Sequence, residues 1–214
     1  MPKAAIVRSP ETSRLPPDGV TARFAGRLPK FIEKVAEYRP DIIIAPGSSG
    51  RIVAYFLRRH LGTKAVFFLN RTFRYQGLYK PLEILLSENP LLEKAVAGKR
   101  VLVVDDFTRS GMSGALVADY LRPLKPLSIG FMSMTHDRNH REEALSSLSE
   151  WYGRDIHLGE EVEGAGDALI AEEPGIVSKD VFTGGTKILR TDNYRVFLKK
   201  VEALLEQAQR KKSA

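Results

Sequence analysis

Cysteine is absent from the 214 residues. Disulfides, zinc–thiolate sites and cysteine nucleophiles are therefore excluded, and a cytoplasmic protein is expected. No apolar run approaches the ~18 residues of a membrane span, so no membrane association is expected. The opening Met1-Pro2-Lys3-Ala4-Ala5-Ile6-Val7 has too short an apolar stretch for a secretory signal. Also missing are internal repeats, low-complexity segments, a helix-turn-helix stretch and any recognised RNA- or DNA-binding motif. That last absence matters because the net charge is +7. Part of the excess is tail, Arg210-Lys211-Lys212, and the rest suits a small polyanionic substrate better than nucleic acid.

What is present is an ordinary globular mixture, 43% hydrophobic and 28% charged. Residues 8–21 read as a Pro/Ser/Thr-rich loop. Helical spacing of Phe24, Leu28, Phe31, Ile32 and Val35 predicts a helix over Ala22–Tyr38, which Pro29 is expected to kink or split. Asp41–Ala45 is a short buried strand, followed by the turn Pro46-Gly47-Ser48-Ser49-Gly50 and a helix over Arg51–Leu61. A second strand is expected at Ala65–Leu69. The long connection Asn70–Lys99 is expected to hold helices near Leu82–Leu86 and Leu91–Val96. Strand Arg100–Val104, helix Met112–Leu121, strand Ser128–Met134 and helix Arg141–Leu148 follow. This alternation predicts an α/β fold with a parallel twisted sheet and helices on both faces. Ligands of such sheets sit beyond the carboxyl ends of the strands. We read residues 1–150 as that core and 151–191, where the rhythm breaks, as a small hood subdomain. Residues 192–214 would be a C-terminal helix and basic tail.

The chemistry concentrates in Val101-Leu102-Val103-Val104-Asp105-Asp106-Phe107-Thr108-Arg109-Ser110-Gly111-Met112-Ser113. Four consecutive apolar residues make a strand buried on both faces. Two carboxylates follow at its end, then a hydroxyl-rich turn that runs directly into a helix. A helix N-terminus presents unpaired amides and the positive end of the macrodipole. Ser110 and Ser113 add hydroxyl donors there, and Gly111 permits close approach of the backbone. Together they make a cradle for a phosphate. Asp105 and Asp106 would repel that phosphate, but they suit ribose hydroxyls or a hard divalent cation such as Mg²⁺. A phosphate at the turn and a sugar over the acids fit a pentose 5-phosphate.

This stretch resembles the motif by which type I phosphoribosyltransferases bind 5-phosphoribosyl 1-pyrophosphate (PRPP): four hydrophobic residues, two acids, three variable residues and Thr-Gly-x-Thr. Ser110 and Ser113 stand where threonine is usual. The resemblance implies a hooded type I phosphoribosyltransferase fold. It also implies that Arg109, Ser110, Gly111, Met112 and Ser113 hold the 5-phosphate, and that Asp105 and Asp106 hold the ribose 2- and 3-hydroxyls, with Mg²⁺ held directly or indirectly. The turn bearing Ser48, Ser49, Gly50 and Arg51 resembles the family's pyrophosphate loop. Residues 70–99 fall where the family carries a closing loop, making Arg71, Arg74 and Lys80 candidates to neutralise pyrophosphate. The implied activity is Mg²⁺-dependent transfer of the phosphoribosyl group to a nitrogenous base, with release of pyrophosphate, by a protein that commonly dimerises. His136, Asp137 and Trp151 are candidates to meet the base. Arg109 departs from the 6-oxopurine members, which have an Asp at that position, and an arginine cannot accept a proton.

Two other readings compete. Val101–Asp106 looks like the opening of a response-regulator receiver, but a receiver needs a phosphoryl-accepting Asp after a later strand, and His136-Asp137 comes too soon for that. The other is a noncatalytic PRPP-binding regulator of the same fold. Retention of Ser48–Arg51 and of the basic connection favours an enzyme.

Overall fold

The computed structural model describes residues 18–47, 49–62, 65–69, 71–76, 80–86, 90–163, 177–179, 186–188 and 192–213. Helix α1 (Asp18–Tyr38) lays Phe24, Leu28, Phe31 and Val35 into the core, each 4% exposed or less. It passes through Pro29 as one element and starts inside the stretch expected to be loop. A proline inside a helix costs roughly 3 kcal/mol. Burial of four large apolar side chains, at roughly 1.5–3 kcal/mol each, outweighs it.

The central sheet has five strands: β1 (Ile42–Pro46), β2 (Ala65–Leu69), β5 (Arg100–Thr108), β6 (Ser128–Asp137) and β7 (Ile156–Val162). They are ordered β2-β1-β5-β6-β7, and every pairing is parallel. Strand alternation divides the core into two layers. Ile43, Ala45, Leu102, Val104, Met132 and Met134 face α1, α2 (Ser49–Leu61) and α6 (Asp192–Ser213). Ile42, Ile44, Val101, Val103 and Phe131 face α3 (Pro90–Val96), α4 (Met112–Leu121) and α5 (Arg141–Tyr152). The expected α/β fold, a parallel sheet covered on both faces, is thus observed.

Two expectations change. The apolar residues of Lys80–Leu86 form strand β4, not a helix, paired antiparallel with β3 (Arg71–Gln76). A short apolar run satisfies either period, and its pairing with β3 decides the outcome. The proposed break at residue 151 is not a boundary either. Helix α5 runs through it to Tyr152, and β7 joins the main sheet. β7 reads as poorly apolar because it is an edge strand with Glu160 and Glu161 exposed. Beyond it, β8 (Val177–Lys179) and β9 (Thr186–Ile188) form a separate antiparallel pair.

Candidate functional site

β1 and β5 are neighbours, yet the chain leaves them toward opposite faces of the sheet. After β1 it enters α2 on one layer, and after β5 it enters α4 on the other. This is the topological switch point, where the carboxyl ends of adjacent strands open a crevice.

The two turns flank it. Gly47 turns at φ 71°, and its amide donates to the Leu69 carbonyl at 2.9 Å. Gly50, in the first turn of α2, lies so close to β5 that an added Cβ would sit 3.1 Å from the Val104 carbonyl oxygen and 3.4 Å from Asp105 Oδ1. The start of α2 therefore packs against the end of β5 beside the first aspartate, with little room for a side chain at this position. Arg51 is on the same turn of helix, its guanidinium 5.3 Å from the centre of the Phe68 ring. Partial burial lowers its pKa from the ordinary arginine value, and an arginine so placed remains a cation. Ser48 lies outside the described residues, and only the backbone of Ser49 is described, at the head of α2.

On the other side, α4 begins at Met112 behind Gly111, which is left-handed at φ 74°. No side chain caps this helix; its first backbone bond runs from the Ala115 amide to the Gly111 carbonyl at 3.0 Å. The amides ahead of it point out of the helix end. Ser110 and Ser113 are half-buried beside the turn, while Arg109 and Met112 are exposed. A Cβ on Gly111 would lie 2.9 Å from the Ala144 carbonyl oxygen and from Leu148 Cγ, so α5 presses directly on the turn.

Asp105 and Asp106 end the buried run of β5 and are 6% and 1% exposed. Asp105 Oδ1 accepts the Asp106 amide at 3.0 Å, and the Asp106 carbonyl accepts the Thr135 hydroxyl at 2.9 Å. Both aspartates lie near the carboxyl end of β5 and are largely buried there. Their hard oxygens suit Mg²⁺. Among the described residues no group of three or more acids and histidines is placed to hold a metal. A magnesium ion here would therefore use one or both aspartates and complete its shell from substrate phosphate and water.

The base-contact candidates fare differently. His136 and Asp137 are the last residues of β6, not residues beyond it, and both are 2% exposed. His136 Nδ1 donates to the Gly159 carbonyl at 3.0 Å, directing the ring toward β7. Asp137 Oδ1 accepts the Asn139 amide at 3.0 Å, and Oδ2 accepts from His140 Nδ1 at 3.0 Å. Trp151 is at the wrong end of the sheet. α5 starts at the carboxyl rim and returns about 18 Å, by its 12 residues, to the opposite edge. There Arg122, just after α4, lies 5.3 Å over the Trp151 ring. Arg71, Arg74 and Lys80 are on the β3–β4 hairpin, opposite Leu86, Glu83 and Gln76 respectively.

Sequence reasoning missed the roles of Gly47, Thr135 and His140. Gly47 carried a signal, a glycine directly after a strand-ending proline. A cleft of about 960 Å³ between α1 and β7, lined by Arg23, Lys30, Met134 and His157 among others, is separate from both turns. Two of its cations are already paired, Arg27 with Glu160 at 2.6 Å and Lys34 with Glu37 at 2.7 Å. No described helix is long and apolar enough to cross a membrane.

Residues 22–153 match the family described as phosphoribosyl transferase domain. Over 101 residues the chain is 34% identical to an orotate phosphoribosyltransferase of Caldanaerobacter subterraneus subsp. tengcongensis, covering 47% of each protein. The chain thus spans about half the length of this curated relative. Among solved structures, the APRTase of Giardia lamblia complexed with 9-deazaadenine is similar at a TM-score of 0.51 and 14% identity, over 69% of this chain and 85% of that one. A purine phosphoribosyltransferase of Pyrococcus horikoshii Ot3 gives 0.47 and 20% over 72% and 91%. The first of these is a likeness of fold.

Proposed function

Because this chain belongs to the phosphoribosyl transferase domain family, we propose that its crevice binds PRPP with Mg²⁺ and transfers the phosphoribosyl group to a nitrogen nucleophile. The observation that supports this most is the pairing of two helix-start turns across one switch point, with adjacent aspartates between them. One turn would take the 5-phosphate on the amides and hydroxyls of Arg109–Ser113. The other, Ser48–Arg51, would take the pyrophosphate, with Arg51 as its fixed cation.

In the transfer, a bond forms between the nucleophile and carbon 1 as the bond from carbon 1 to pyrophosphate breaks. The pyrophosphate leaves with the electron pair, and the nucleophile's proton passes to solvent. Positive charge gathers on the sugar in the transition state. Asp105 and Asp106 hold the ribose hydroxyls and place negative charge near that centre. Bound Mg²⁺ supplies charge neutralisation of the departing pyrophosphate. Arg71, Arg74 and Lys80 are proposed to add cations from the β3–β4 hairpin, and the segment after β7 to cover the base as a hood. The enzyme's task is to position, neutralise and exclude water, and no protein nucleophile is needed.

Calorimetry with PRPP and Mg²⁺ tests the site. The variant Asp105→Asn/Asp106→Asn is expected to keep the fold, judged by circular dichroism, and to lose at least tenfold in affinity. Unchanged affinity refutes the role given to the acids. Pyrophosphate release with a panel of purines, pyrimidines and simple amines tests the transfer. Silence across the panel with PRPP binding intact would make the protein a PRPP-binding regulator.

A further inference from the structure

Arg109 directly precedes the phosphate turn, at a variable position of the motif. Its side chain is 59% exposed, yet it is gripped from behind. Asp137 is 2% exposed, and a carboxylate so buried requires partners. Its Oδ2 takes His140 Nδ1 at 3.0 Å and faces Arg109 Nε at 3.6 Å. A carboxylate can only accept, so the His140 proton in that bond is on Nδ1. In that tautomer Nε2 carries a lone pair, and Arg109 Nη2 lies 3.3 Å from it. One edge of the guanidinium thus faces an ion-pair carboxylate from β6 and one hydrogen-bond acceptor from the residue ahead of α5, and Nη1 is in neither contact. Neighbouring cations do not compete for Asp137. Arg138 pairs with Glu161 and Glu163, and Arg141 with Glu142 and Glu161.

We propose that Asp137 and His140 are positioning residues which lock Arg109 beside the phosphate turn, making it a preorganised clamp for the 5-phosphate of the ribose ligand. The proposal rests on the reading of Arg109–Ser113 as the phosphate turn. It replaces the role of Asp137 as a base contact. An arginine loses side-chain freedom when it grips an anion, and one already held by acceptors has less to lose. The Arg109–Asp137 pair is close to neutral in sum, so the gain comes from donor geometry more than from net charge, and about tenfold in affinity is expected.

The test compares wild type with Arg109→Ala, His140→Ala and the double variant, using ribose 5-phosphate and PRPP as separate calorimetric probes. Each single variant is expected to bind both probes five- to tenfold more weakly, and the double variant no more weakly than the singles. His140→Gln, whose amide oxygen replaces the Nε2 acceptor, is expected to recover most of the loss. In turnover, KM for PRPP should rise while kcat and KM for the second substrate hold. Nitrogen-15 spectra should show His140 as the Nδ1–H tautomer, and the Arg109 Nε–H signal should lose its protection from exchange in His140→Ala. Additive losses, no rescue by glutamine, or an Nε2–H tautomer overturns the clamp while leaving the transferase reading intact. Wild type that binds ribose 5-phosphate but not PRPP ends the transferase reading, and the clamp is then judged on ribose 5-phosphate. Wild type that binds neither overturns both.

Discussion

At Gly111 the backbone turns at φ +74°, and an added Cβ would lie 2.9 Å from both the Ala144 carbonyl oxygen and Leu148 Cγ. Left-handed strain and overpacking each cost roughly 1–3 kcal/mol, so Gly111→Ala is expected to lose about 2–6 kcal/mol in urea denaturation. Gly62 is the internal control, because it has φ +61° but nothing within 4 Å of an added Cβ. Gly62→Ala should lose only the strain, about 1 kcal/mol. The glycine's place in the motif was legible from the chain, because small and hydroxylated residues after two acids have a local meaning. The pressure of α5 on it was not, since Ala144 and Leu148 are more than 30 residues away. The same distance hid the role of His140, whose partner Arg109 comes from another element.

At the scale of elements, α4 and α5 are joined by the Tyr152 hydroxyl, which donates to the Gly114 carbonyl at 2.6 Å in a buried setting. Removing the donor deletes a buried bond between the two helices, so Tyr152→Phe is expected to lose about 0.5–1.5 kcal/mol. Burial also raises the Tyr152 pKa well above its ordinary value of 10.0. Above pH 10 the unfolded chain therefore releases a proton that the folded chain retains. Stability present below that pH is lost as pH rises. Unfolding followed from pH 8 to 11 should show this slope in wild type and a shallower one in Tyr152→Phe. Strands β1, β2, β5 and β6 and the major helices were readable from apolar runs and 3.6-residue periodicity. β4 and β7 were not, because β4 owes its form to antiparallel pairing with β3 and β7 is an edge strand with a polar outer side.

At the scale of the whole molecule, the proposed ligand would bridge the point where the two layers diverge. Hydrogen exchange should report this on adding PRPP and Mg²⁺. Amides of residues 47–51 and 109–114 should gain protection together, although their helices lie on opposite faces of the sheet. The α1–β7 cleft, remote from both turns, should not change. Protection of one turn without the other would contradict a ligand that bridges the switch point.

The amino-acid order alone determined the parallel α/β class, the acid pair and the turn proposed to take a phosphate, because each depends on residues adjacent in the chain. Local spacing sets strand and helix, and a strand that runs straight into a glycine-bearing helix start makes its own anion site. Only the tertiary structure decided that Asp105 lies against Gly50, that Trp151 is at the far edge and that Asp137 faces Arg109. Those relations depend on strand order and on the direction in which each helix returns across the sheet. Both are set by packing between segments distant in sequence.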